Sequence, residues 1–146
     1  KAWGVSNFDL VDLQELQTIS NECATNQVLY HLGSRGIEFA LKPMMDALKM
    51  PLMAYSPLGH GDTLRTNFAT NPVLQQIADE HGATVQQILL AWVICNTNTM
   101  AIPKASSVKH MLANIDSLAI NLTEQNLHEL NKNYPAPKYK TPLDEL

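Results

Sequence analysis

Residues 51–59, Pro51-Leu52-Met53-Ala54-Tyr55-Ser56-Pro57-Leu58-Gly59, decide how this chain is read. A short run of mostly apolar residues stops abruptly at a polar residue and a turn-forming Pro-Leu-Gly. Such a run, bounded by turn signals, is a strand. It does not alternate apolar with polar, so both of its faces are covered. Immediately upstream, Leu41, Met44, Met45 and Leu48 repeat at i, i+3, i+4, i+7, the spacing of one helix face, with Pro43 in the first turn. Downstream, Asn71 caps a helix that has Pro72 at its first position and ends at Gly82, with Leu74, Ile77, Ala78 and His81 as its inward stripe. The polar stretch from His60 to Thr70 reads as a loop.

The same alternation runs outward in both directions. Toward the N-terminus, the apolar Ala2–Val5 stops at Ser6-Asn7, and Asp9 then caps a helix carrying Leu10, Leu13, Leu16 and Ile19. A second strand, Ala24–Val28, follows, with a turn at Gly33 to Gly36. Toward the C-terminus, Thr84 caps a helix from Val85 to about Asn96, striped by Val85, Ile88, Leu89 and Trp92. Met100–Pro103 is the fourth strand, and Ser106 or Ser107 caps a helix with Val108, Met111, Leu112 and Ile115. Thr123 caps a last helix containing Leu127 and Leu130, and residues 135–146, with Pro135, Pro137 and Pro142, form an extended tail. All these stripes are assigned to the core.

Strand and helix alternate four times, which predicts an α/β fold with a parallel sheet. Four β/α units are half of a (β/α)8 TIM barrel, so residues 1–146 are expected to form one half-barrel. In such folds chemistry gathers at the C-terminal strand ends, which here carry Ser6-Asn7, Asn26-Gln27, Tyr55-Ser56 and Lys104. The chain opens on what reads as a strand with no leading cap, from which a fragment of a longer polypeptide is expected.

Composition narrows the function classes. The 146 residues carry a formal charge of −4, with 45% hydrophobic and 16% charged side chains. A net negative charge argues against nucleic acid, which usually calls for a basic face, and no apolar run reaches the roughly 18 residues of a membrane span. Cys23 and Cys95 read as reduced structural thiols of a cytoplasmic protein. His31, His60, His81, His110 and His128 show no metal-ligand spacing, so no metal is expected.

Four motifs at four strand ends carry a specific likeness. Gly4-Val5-Ser6-Asn7-Phe8, Asn26-Gln27, Ala54-Tyr55-Ser56-Pro57-Leu58-Gly59 and Ile102-Pro103-Lys104 resemble, in order and spacing, the C-terminal half of the aldo-keto reductase family. Val85–Trp92 is similar to the family's penultimate barrel helix, and Asn114 falls at the end of its Arg, Glu, Asn run. Within the family, Cys23–His31 most resembles bacterial methylglyoxal and small-aldehyde reductases. The resemblance implies a (β/α)8 barrel that binds NADPH, or less often NADH, and reduces a small carbonyl compound. It implies that Ser6, Asn7 and Gln27 hold the nicotinamide carboxamide, an amide that needs a donor and an acceptor to fix it. Tyr55 would stack on the nicotinamide. Ser56, Leu58 and Gly59 would wrap the pyrophosphate, Lys104 would meet the 2′-phosphate or ribose, and Ser106 and Asn114 the adenosine.

Departures from the family pattern bear on function. Ala105, His110 and Ala113 stand where the family often has Ser, Arg and Glu, which weakens the preference for NADPH over NADH. The family's Asp, Tyr, Lys and His tetrad belongs to the other barrel half, so no catalytic residue is assigned here. Taken singly, Tyr55 is a packing residue, Ser6-Asn7 a cap, Gln27 a satisfied turn residue and Lys104 a solvated lysine. Their order along the chain is what joins them. Two functions stand side by side: part of a hydride-transferring reductase, or a catalytically inactive half-barrel that is structural or at most binds nucleotide. Either way, two raw sheet edges and an open inner face predict self-association or pairing with the missing half.

Overall fold

The computed structural model describes residues 1–146. In chain order the regular elements are strand β1 (Trp3–Ser6), helix α1 (Leu10–Ile19), β2 (Cys23–Leu29), α2 (Leu41–Ala47) and β3 (Leu52–Tyr55). After these come α3 (Asp62–Thr70), α4 (Pro72–Glu80), α5 (Val85–Cys95), β4 (Thr99–Ala101), α6 (Val108–Asp116) and α7 (Glu124–Asn133). The strands form one parallel sheet in sequence order, β1-β2-β3-β4. Ser6 stands opposite Gln27, Gln27 opposite Met53, and Met53 opposite Met100. This is the expected α/β half of a barrel, with every strand ending on one rim.

Local chemistry explains most boundaries. Asp9, Thr84 and Thr123 each form a capping box, Asn71 accepts from the Val73 and Leu74 amides ahead of Pro72, and Ser107 rather than Ser106 caps α6. The core lies between the sheet and helices α1, α2, α4 and α5, built on Leu13, Val28, Leu41, Met45, Leu52, Leu74, Ile88 and Trp92. Arg35 ties the far end together. Its guanidinium stacks 5.0 Å from the Trp92 ring, pairs with Glu38 at 2.7 Å, and donates to Asn131 and the Tyr134 carbonyl.

Several expectations need correcting. Residues 62–70 are helix α3, not loop: Leu64 and Phe68 stand one turn apart, and Phe68 is buried against Tyr134 and His31. That apolar pair outweighs the surrounding Thr and Asn residues. The α6 stripe is not core, since Val108, Met111, Leu112 and Ile115 are all more than half exposed. No element of this chain covers that side. Ile19 is likewise exposed, and His81 is a half-buried C-cap whose Nε2 bonds the Asn126 Oδ1 at 2.9 Å. Strand β4 is shorter than Met100–Pro103, and β2 longer than Ala24–Val28. Both cysteines are free thiols, Cys23 buried and Cys95 exposed, where burial of the sulfur still raises the Cys95 thiol pKa. No helix is long and apolar enough to cross a membrane.

The tail after Asn133 has no regular structure, yet it is held at two points. The Lys140 ammonium meets Asp9 at 2.8 Å, and the Ser34 hydroxyl donates to Asp144 beside the buried His31. Partial burial pulls the Asp9 carboxyl upward, but Lys140 and the Leu10 amide outweigh it and leave its pKa below the ordinary value. The His31 Nδ1 accepts from the Gly33 amide, which leaves the ring neutral. Burial lowers its pKa to about 4, against a smaller opposing pull from Asp144.

Two measurements check this packing. Leu52→Ala, at a position only 1% exposed, should cost about 2–5 kcal/mol in a denaturant titration. The neutral His31 makes the second prediction. The unfolded ring binds a proton near pH 6.5 and the folded one only near 4, so its contribution is complete above 6.5. It should fall as pH drops from 6.5 toward 4, by up to about 1.4 kcal/mol per unit. His31→Gln should flatten unfolding free energy against pH across that window, and an unchanged slope would show that His31 does not titrate there.

Candidate functional site

At the end of β1 the backbone leaves the sheet through Asn7, whose φ of 54° lies in the left-handed region. The Asn7 amide still bonds the Gln27 carbonyl at 2.9 Å, and the Ser6 hydroxyl donates to the same oxygen at 3.1 Å. Asn26, fully buried, clamps the turn from below: its Nδ2 donates to the Phe8 carbonyl at 2.7 Å and its Oδ1 accepts from the Phe8 amide at 3.4 Å. Asn26 thus positions Ser6 and Asn7, a role missed at the sequence level. Its only sequence signal is an amide residue next to Gln27, and the pair lies inside β2 rather than at its expected end, because the strand continues through Leu29.

The side-chain oxygen of Asn7 is buried and has no hydrogen-bond partner. An orphaned acceptor is costly, on the order of 1–3 kcal/mol, and it coincides with a strained backbone. Strain and unmet polarity together mark a place where a ligand is expected. Gln27, the register partner of Ser6, faces the same side of the sheet as Ser6, its Nε2 resting 3.0 Å from the Met53 sulfur, a weak acceptor that a better partner can replace.

The end of β3 repeats the theme. Tyr55 is half-buried at the rim, and Ser56 after it also has a left-handed φ, 49°. The Gly59 amide closes the turn on the Ser56 carbonyl at 2.9 Å. Gly59 has φ 82°, and a Cβ there would lie 2.9 Å from the Phe68 ring, so only glycine fits both the turn and the packing. Leu58 is half-buried beside it. Two of the four non-glycine residues with positive φ, Asn7 and Ser56, therefore sit at expected site positions.

Beyond β4, Lys104 is exposed and forms no ion pair, and Ser106 is exposed beside the capping Ser107. Asn114 lies farther along α6, half-buried in an open cleft of about 430 Å³ with Leu90, Ala101 and Ala105. The structure thus gathers Ser6, Asn7, Gln27, Tyr55, Ser56, Leu58, Gly59 and Lys104 on the rim of strand ends, with Ser106 and Asn114 at its far side. Tyr30 is no proton donor for this rim. Its hydroxyl is buried against the Glu38 carboxylate at 2.8 Å, and that burial, with the neighbouring charge, pushes its pKa far up.

Residues 1–134 match the profile of the Aldo/keto reductase family. The chain is 50% identical over 146 residues to the methylglyoxal reductase YeaE of Escherichia coli, covering 99% of this chain and 51% of that protein. It is 30% identical over 132 residues to the glyoxal reductase of Bacillus subtilis, covering 90% of this chain and 45% of the relative. A crystal structure of an aldo-keto reductase from Klebsiella pneumoniae in complex with NADPH superimposes with a TM-score of 0.95 at 44% identity, over 99% of this chain and 52% of that one. The chain spans about half the length of these relatives. It belongs to the aldo/keto reductase family.

Proposed function

We propose that this chain is the dinucleotide-holding half of an NADPH-dependent reductase of small aldehydes and ketones, methylglyoxal among them. The unpartnered Asn7 Oδ1, buried at a strained strand end beside Ser6 and Gln27, carries the reading. A carboxamide fits it: its two N–H groups would meet the Asn7 Oδ1 and the Ser6 oxygen, whose own hydrogen goes to the Gln27 carbonyl, while the Gln27 side-chain amide supplies a donor for its carbonyl. When bound, NADPH supplies the hydride. The chain's own residues bind and orient. Tyr55 offers a flat face for the ring, the Ser56–Gly59 turn allows close backbone approach to the diphosphate, and Lys104 brings a point charge to the phosphate at the adenosine end, flanked by Ser106 and Asn114. NADH is accepted less well, because Lys104 has no phosphate to meet. The Klebsiella relative bound to NADPH and the methylglyoxal reductase of E. coli support this assignment.

The reduction also needs a proton donor for the developing alkoxide, which this half lacks. The first half of an aldo-keto reductase barrel is the complementary partner. Its strands would pair with the open edges of β1 and β4, and its helices would cover two apolar edges. One edge presents Trp3, Val11 and Ile19, and the other Met100, Val108, Met111, Leu112, Ile115 and Leu118, all exposed here. Relatives about twice as long, with the half-length match, support that occupant over a second copy of this chain.

Two experiments test the reading. The 146-residue chain alone should not reduce methylglyoxal, since general acid catalysis contributes roughly 10²–10⁴ in rate. Mixing it with the first half of the E. coli relative should restore NADPH consumption and give a 1:1 complex by light scattering. Turnover by the chain alone, or a homodimer that refuses the partner, would contradict the proposal. In the complete polypeptide that carries this sequence, Tyr55→Ala should weaken NADPH binding by roughly 1–3 kcal/mol. Lys104→Ala should hurt NADPH more than NADH, and equal losses would remove Lys104 from the phosphate.

A further inference from the structure

Helix α3 is built to hold a guanidinium against the turn that follows β3. Its Leu64 and Phe68 side chains lie where Cβ atoms on Gly59 and Gly33 would intrude, at 3.1 and 2.9 Å for Gly59 and 3.4 and 3.1 Å for Gly33. The missing side chains let the helix sit directly on the turn. Phe68 is 1% exposed and fixed from both sides by His31 and Tyr134. Arg65, between Leu64 and Phe68 on the same helix, is thereby held at the turn, and its Nε donates to the Gly59 carbonyl at 3.3 Å.

The rest of that guanidinium is uncommitted. The chain has two arginines. Arg35 spends its fork on Glu38, Asn131 and the Tyr134 carbonyl, whereas neither terminal nitrogen of Arg65 has a hydrogen-bond or ion-pair partner. Arg65 is the fourth residue of α3, whose first turn carries Asp62 but no side-chain cap at Gly61, and Asp62 forms no ion pair with it. An arginine pinned by one nitrogen, with its remaining N–H groups free, is arranged for a bidentate oxyanion.

We propose that Arg65 is a diphosphate-contacting residue of the dinucleotide site. The two free nitrogens grip phosphate oxygens lying in the Ser56–Gly59 turn, while Gly59 orients the fork through Nε. This rests on the dinucleotide reading above. Arg65 thereby adds a permanent cation at the turn after β3, on the same rim as Lys104. Lys104 then selects for the 2′-phosphate, and Arg65 serves NADPH and NADH alike.

The test is cofactor titration on the complete polypeptide carrying this sequence, comparing wild type, Arg65→Met, Arg65→Lys and Tyr55→Ala. Arg65→Met keeps the aliphatic stem, and its circular dichroism and melting midpoint are expected to match wild type. It should weaken NADPH and NADH about equally, each around tenfold, with a shallower salt dependence, and leave binding of adenosine 2′-monophosphate, which has no diphosphate, unchanged. Arg65→Lys should fall between, a point charge replacing the fork. Unchanged NADPH affinity in Arg65→Met while Tyr55→Ala weakens it would overturn the role of Arg65 and leave the dinucleotide reading standing. A loss confined to NADPH would also overturn it, by moving Arg65 to the 2′-phosphate. Failure of wild type to bind either dinucleotide would overturn both.

Discussion

Parallel pairing in register is the constraint on which the rest of the structure depends. Because Ser6, Gln27, Met53 and Met100 stand side by side across four strands running the same way, every strand ends on one rim. The segments leaving that rim place residues from all four strands at one end of the sheet. Asn26 adds local precision: one buried amide satisfies both backbone groups of Phe8 and so sets where Ser6 and Asn7 emerge. The cost of the resulting strain at Asn7 and Ser56 is borne by a well-packed layer beneath, in which Leu52, Ala54, Ile88 and Leu89 are essentially buried.

The same pairing leaves the sheet open at both ends. In a closed barrel the first and last strands meet; here β1 and β4 are edges, and the apolar side chains of Trp3, Met100 and the α6 stripe face outward. The distribution is not random. Apart from Phe39, Leu48, Tyr139 and Leu146, the large exposed hydrophobic residues lie on the β1–α1 edge or on the β4–α6 edge. Patches of this kind mark contact surfaces, and their location at the two ends of one sheet matches what a complementary set of β/α units would cover.

Much of this was legible in the sequence because its local signals agree. The short apolar run before Ser56 and the caps at Asp9, Asn71, Thr84 and Thr123 all point to alternating strands and helices, as found. Helix α3 was hidden because its two apolar residues sit among Thr, Asn and Gly, and the contacts that favour it come from Gly33, His31 and Tyr134, distant in sequence. The α6 stripe was misassigned because helical periodicity reveals which face is apolar, not whether anything covers it. The rim residues are picked out in the sequence only by family motifs. Asn26 and Arg65 are not picked out at all, since their backbone partners, Phe8 and Gly59, are brought near only in the folded chain.

The rim of strand ends, and not another surface, is the proposed dinucleotide site. Hydrogen exchange with and without NADPH, followed peptide by peptide on the complete polypeptide, addresses it directly. The account predicts slowed exchange at the backbone amides of residues 6–8 and 56–59 and in the segment after β4, with none in the cleft of about 280 Å³ at the opposite end, between Leu13, Cys23 and Met50. Protection in that opposite cleft, or no protection at residues 6–8 and 56–59 at saturating NADPH, would contradict it.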